Sequence, residues 1–211
     1  MYMKRNLTAI SFVLTALITL SGCGGAVKYP RYYALHVPPP PDPPAQAGVR
    51  SSLAIREFRS PAYLHQGSIV YKASPEQVGF YNYHRWASDP REVVTNAVAD
   101  RLRAGGNFKQ VRLYDGRSDV DYVLTGRLEK LEEIDYEGSI KVEVAISAQM
   151  MNINTGAAVW SNTVDEVNTV SQRDVAAVVS EMNRTMERAI EKLLTPSPSS
   201  AALTPPPEEL W

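Results

Sequence analysis

The side chains that could carry chemistry in this chain are few and scattered. Three histidines, His36, His65 and His84, fall into no H-E-x-x-H or comparable metal-ligand spacing. No G-x-S-x-G turn, S-x-x-K pair or Walker A loop occurs, so neither an activated serine nor a phosphate cradle is recognisable. His84, beside Arg85 and Trp86, has the chemistry of a general base, but a histidine that ends an aromatic strand is more simply a satisfied structural residue. Glu129, Glu132, Glu133, Asp135 and Glu137 gather acids that could hold a divalent cation. They lack the glycine-containing spacing of a calcium loop and read instead as a solvated strand end. The expectation is a non-enzyme with no catalytic residue, no metal and no cofactor.

The one thiol, Cys23, has a different destination. Residues 1–22 open with Lys4 and Arg5, continue through an uncharged run from Leu7 to Leu20, and close on Leu20-Ser21-Gly22 before Cys23. A helix that crosses a bilayer needs about 20 apolar residues, and this run is shorter, as in the central region of a signal peptide. Leu-Ser-Gly-Cys resembles the bacterial lipobox, whose cysteine is acylated and becomes the mature N-terminus. Residues 23–31 then form the lipidated N-terminus and a short tether. A single cysteine also forbids an internal disulfide, so the fold must hold without one. The 22 basic and 23 acidic residues give a net charge of −1, and cleavage removes two of the bases. Acyl chains, at about 0.8 kcal/mol per buried CH₂, therefore anchor the protein where charge would not. The absence of a basic excess or stripe argues against a nucleic-acid partner. Gly24 in place of an aspartate after the cysteine, by resemblance to enterobacterial lipoproteins, favours the periplasmic face of the outer membrane.

The elements that position the remaining residues follow from periodicity. Tyr32–Leu35 reads as a brief strand, and the proline run 38–44 as an extended loop; no basic residue accompanies it as SH3-type ligands require. Leu53–Phe58, Ser68–Ala73 and Val78–His84 read as strands, the last with Val78, Phe80 and Asn82 alternating against Gly79, Tyr81 and Tyr83. Asp89 caps a helix with Pro90 first, a stripe of Val94, Ala97, Val98 and Leu102, and Gly105-Gly106 at its end. Lys109–Tyr114 and Tyr122–Leu128 are further strands. Ile140–Met150 gives the clearest alternation, burying Ile140, Val142, Val144, Ile146, Ala148 and Met150, and turns at Asn154-Thr155-Gly156 into Ala158–Val167. A last helix runs from about Arg173 to Leu194, opened by Ser171, with Met182 and Met186 as core filler. Residues 195–211, rich in Pro and Ser, are expected to be disordered. The fold class is α+β: one domain over residues 32–194, with a mixed, mostly antiparallel sheet and two helices packed on one face.

Two stretches are more specific than composition explains: Ser60-Pro61-Ala62-Tyr63-Leu64-His65-Gln66-Gly67-Ser68-Ile69-Val70-Tyr71 and Tyr81-Asn82-Tyr83-His84-Arg85-Trp86-Ala87-Ser88-Asp89-Pro90. With the lipobox, Tyr32–Leu35 and the closing amphipathic helix, they resemble the ABC-type transport auxiliary lipoproteins, the PqiC-like lipoproteins. Pro61, Tyr63, Leu64, Ile69, Val70, Tyr71, Trp86 and Ala87 occupy that family's motif positions. The proline run and the Pro-rich tail depart from the pattern. The resemblance implies a non-catalytic accessory to a lipid transporter, whose partners are an MCE-domain periplasmic protein, a permease and an ATPase, and which moves phospholipid or related lipid between the two membranes. A homo-oligomer is compatible with this role. Tyr63, Tyr71, Tyr81, Tyr83 and Trp86 are the candidate partner-binding residues, since Tyr and Trp are enriched at interface centres. About half of these rings are expected in the core, with Tyr81 and Tyr83 divided between core and surface. The alternative is an envelope lipoprotein that regulates or stabilises a cell-wall synthesis assembly without handling lipid. In such proteins a long linker separates anchor from domain, whereas here the proline run follows the first strand.

Overall fold

The computed structural model describes residues 28–40, 51–116, 119–136 and 138–195. The signal segment, Cys23, Pro41–Pro44 and the tail from 196 onward lie outside the described residues. One sheet contains the strands β1 (Arg31–Tyr33), β2 (Ser52–Ile55), β3 (Ser68–Lys72), β4 (Val78–Trp86), β5 (Gln110–Leu113), β6 (Tyr122–Ile134), β7 (Lys141–Asn152) and β8 (Ala158–Thr169). Helices α1 (Pro90–Ala104) and α2 (Val175–Leu193) and a 3-10 turn at Ala62–Gln66 complete it.

Strand β6 organises the sheet. One of its edges pairs antiparallel with β7 from Tyr122 opposite Asn152 to Ile134 opposite Lys141, and β7 pairs likewise with β8. Its other edge is shared. Leu53–Ile55 run parallel to Tyr122–Leu124, and Val70–Lys72 run parallel to Glu132–Ile134. Between them the Arg56 and Arg59 N–H groups donate to Leu124 O and Gly126 O, and the Leu128 N–H donates to Arg59 O. Residues 52–72 thus act as one interrupted strand, with the 3-10 turn as its excursion. Beyond it lie β5 beside β2, β4 beside β3, and β1 beside β4. The two long pairings and the short β3–β4 pairing are antiparallel and the remaining short ones parallel, so the expected α+β class holds.

Both helices enter one core. Val94, Val98 and Leu102 of α1 join Val178, Met182, Met186 and Ile190 of α2 over Leu124, Leu128, Ile146 and Met150. The inward face expected of β7 is buried throughout, because a strand with one face on the core alternates with period two. Asp89 caps α1, its carboxylate accepting from the Arg91 N–H at 2.9 Å. Gly105 continues the helical conformation, and Gly106, at φ +63°, makes the reversal. The last carbonyls of α2 are satisfied by the Asn162 side-chain amide, which donates to Leu193 O at 2.8 Å and Lys192 O at 3.2 Å.

Four sequence expectations need correction. Helix α2 begins at Val175 with Asp174, not Ser171, as its cap; the Asp174 carboxylate accepts from the Ala177 N–H at 3.0 Å. Strand β1 ends at Tyr33, two residues early, although Leu35 is still buried. Strand β6 does not stop at Leu128: its register slips at Glu129, which shifts the phase so that Leu131 faces the core opposite Val144, with Glu133 on the same face opposite Val142. Glu132 and Glu133 are buried, each 1% exposed, and do not form a solvated end; Glu137 lies outside the described residues. Finally, the alternation in β4 breaks. Val70 faces Phe80 while Ser68 faces Arg85, so the residues from Tyr81 to His84 bulge away from the ladder.

Candidate functional site

The bulge in β4 decides where the candidate aromatics go. Trp86, expected on a contact surface, is 5% exposed and belongs to the core, because the strand regains its register beside Ser68 and turns the indole inward. Tyr71 lies over Gly79, its cross-strand partner, where a Cβ would overlap the phenol ring, and it packs 5.1 Å from the Tyr81 ring. Tyr63, on the 3-10 turn, and Tyr81 are half-buried and hydrogen-bonded: their hydroxyls donate to Glu132 Oε2 at 3.2 Å and Glu133 Oε2 at 2.9 Å. Burial, and then the adjacent carboxylate, push both hydroxyls far above the usual phenol range, so they remain protonated donors. His84 is held by the Tyr33 hydroxyl at 2.9 Å from Nδ1, with the two rings stacked at 5.6 Å.

Of the five candidates only Tyr83 is exposed, at 44%, with the Lys28 ammonium 5.8 Å from its ring centre. The sequence reading missed Tyr29 and Tyr32, which are more exposed still. Strand β1 pairs Arg31 with His84 and Tyr32 with Arg85, so these tyrosines and Tyr83 occupy the same margin of the sheet. That margin immediately follows the segment leading from Cys23. Asn183 of α2 fixes it from the other side, its side chain bonding Ala34 O and the His36 N–H.

The buried glutamates form no acid–base pair, because adjacent strand residues point to opposite faces. Glu132 sits opposite Glu143 and Glu133 opposite Val142. Lys72 approaches Glu132 Oε1 at 3.5 Å, an ion pair longer than a good hydrogen bond. Burial raises the Glu133 carboxyl above the usual range, an effect the Tyr81 hydroxyl partly offsets. Among the described residues no three His, Cys, Asp or Glu side chains converge as metal ligands.

A second feature lies on the sheet face away from the helices. Phe58 and Gly126 face the core, so Arg59, Thr125 and Arg127 face outward, followed across the sheet by Ser147, Gln149, Ser161 and Thr163. They line a groove of about 650 Å³ together with Arg56 and Tyr114. The Arg56 guanidinium stacks 4.2 Å from the Tyr114 ring centre. The polar alternation in β6, β7 and β8 is visible in the sequence; the meeting of Arg59 with Arg127 depends on a pairing that no local pattern announces.

Residues 33–193 match the model of the family described as "ABC-type transport auxiliary lipoprotein component". Protein XCC0632 from Xanthomonas campestris has a similar structure, with a TM-score of 0.66 and 18% identity over 78% of this chain and 92% of that one. A further solved structure of an uncharacterized protein gives a TM-score of 0.60 and 14% identity, covering 80% of this chain and 98% of its own. At these identities the likeness is one of fold. No curated protein matches the chain. Among the described residues no helix is long and apolar enough to cross a membrane.

Proposed function

The chain belongs to the ABC-type transport auxiliary lipoprotein family, and from that premise we propose that it is the non-catalytic docking component of an MCE-type lipid transport system, held by an acylated Cys23 at the periplasmic face of the outer membrane. The observation that carries this reading is the margin formed by β1 and β4. Tyr29, Tyr32 and Tyr83 are 79%, 64% and 44% exposed there. Tyrosine offers a large rigid surface at low entropic cost and is favoured in interface centres. From Cys23 to Lys28 the chain can reach at most about 18 Å when fully extended. The margin is therefore confined near the bilayer, and a partner arriving at that membrane meets it at a raised local concentration.

The test is capture in intact cells. Crosslinking followed by purification of the full lipoprotein should recover an MCE-domain protein together with its permease and ATPase. Recovery of a cell-wall synthesis enzyme instead, with no MCE protein, would overturn this function.

A further inference from the structure

We propose that the groove on the open sheet face is a binding site for a phosphate-type oxyanion, a phosphate monoester or diester. The site is built from the pairing itself. Arg59 and Arg127 are partners across a parallel bridge and share the outward face, so their side chains leave the sheet next to one another. Like charges placed side by side on a sheet repel, and a bound anion relieves that repulsion. Arg127 uses Nε for Glu129 Oε2, at 2.6 Å, which leaves its terminal nitrogens to donate elsewhere. Arg59 is exposed and has no ion pair among the described residues. Arg56 is fixed by stacking on Tyr114, a contact that holds the guanidinium plane while keeping its N–H edge available.

The surroundings select the ligand class. The floor beside these arginines is Thr125, Ser147, Gln149 and Thr163, a more polar than apolar lining in which the Gln149 amide and the Thr163 hydroxyl can donate to oxygen, while the Thr125 and Ser147 hydroxyls already donate to Gln149 O and Glu129. Two carboxylates compete. Glu57 lines the groove but lies 3.7 Å from Arg91, and Glu129 is engaged by Arg127 and by the Ser147 hydroxyl at 3.0 Å. Three guanidiniums thus face one loosely held carboxylate within the groove. Planar, bidentate donors of this kind suit phosphate oxygens better than a single ammonium does. A lipid could present only its headgroup here, with its tails directed elsewhere. The inference rests on this geometry and requires neither the MCE partner nor the lipid anchor.

The experiment is a calorimetric titration at low salt of the full lipoprotein, extracted in a non-ionic detergent. The ligands are inorganic phosphate, glycerol phosphate, and short-chain phosphatidylglycerol against short-chain phosphatidylcholine. Saturable phosphate binding is expected, weakened about tenfold or more by Arg59→Gln and further by Arg59→Gln with Arg127→Gln. Arg184→Gln, on exposed α2, is the control for net charge and should change nothing. Thermal melts of each variant verify the fold. If phosphatidylglycerol displaces phosphate, the anion is a lipid headgroup; if phosphate binds and the lipids do not compete, it is a free phosphate. The proposal is overturned if wild type binds none of these, if the double variant binds as wild type does, or if Arg184→Gln loses as much.

Discussion

Gly126 lies directly beneath the Phe58 ring, and a Cβ at that position would overlap three of the ring's carbons. Phe58 is 1% exposed and its N–H donates to the Thr95 hydroxyl at 2.9 Å, so neither ring nor backbone is free to retreat. The glycine therefore sets how closely the interrupted strand 52–72 can approach β6. Gly126→Ala should destabilise the domain by about 1–3 kcal/mol through overpacking. Chemical denaturation measures it, and a Phe58→Leu change in the same background should recover part of the loss. An Ala variant as stable as wild type would show that the ring has room to move.

On β7 the two faces can be separated by one pair of substitutions. Ile146 is fully buried between β6 and α2, while Ser147 looks outward and donates to Glu129 at 3.0 Å. Ile146→Ala should cost about 2–5 kcal/mol and lower the melting temperature markedly, whereas Ser147→Ala should cost about 1 kcal/mol or less. Equal losses would mean that the register of the hairpin is wrong.

These two cases also show what a sequence discloses. The β7 faces are legible because alternation is local from Val142 to Met150, broken only where the small Ala145, expected on the wet face, is buried as well. The α1 start is legible because Asp89-Pro90 places cap and first turn within a few residues. The course of β6 beyond Leu128 is not, since one extra residue at Glu129 inverts the phase and turns Glu133 toward the core, against the ordinary preference of that side chain, while Glu132 on the other face is covered by Tyr63 and Lys72. The bulge in β4 hides in the same way: alternation treats Tyr81 and Tyr83 as equivalent, and only the ladder with β3 distinguishes them. The Arg59–Arg127 meeting is a tertiary fact, set by a parallel pairing between distant segments.

Burial of Glu133 makes a pH-dependent prediction. Its carboxyl titrates higher in the folded chain than in the unfolded one, so the folded state binds the proton more readily. Its contribution to stability is complete below the ordinary carboxylate value of 4.5 and is lost as pH rises through the folded value. Asp89 and Glu181, held below their usual range, act in the opposite sense. The difference between wild type and Glu133→Gln isolates the buried group. Urea midpoints measured from pH 4 to 7 should show the variant gaining on wild type as pH increases; a constant difference would refute the assignment.

Cys23 is expected to carry the anchor. Cys23→Ala should leave the protein uncleaved or release it from the membrane fraction, and mass spectrometry of the extracted wild type should show acyl chains on that residue. An unmodified Cys23 in the membrane fraction would dismiss lipidation without touching the phosphate site.

The docking margin can be examined with two rings of the same strand. Trp86 is 5% exposed and packs in the core, while Tyr83 is 44% exposed beside Lys28 and Tyr32. Trp86→Ala should unfold the domain or destabilise it by about 3–5 kcal/mol, as removal of a buried aromatic does. Tyr83→Ala should leave the melting temperature nearly unchanged, because surface substitutions usually stay within about 0.5 kcal/mol. If Tyr83 anchors the partner, its loss should weaken capture of the MCE protein by about 2 kcal/mol, roughly thirtyfold. Tyr32→Ala, across the β1–β4 pairing, should act in the same direction, and the two substitutions together should remove capture while the fold persists. Undiminished capture by the folded double variant would move the contact away from this margin.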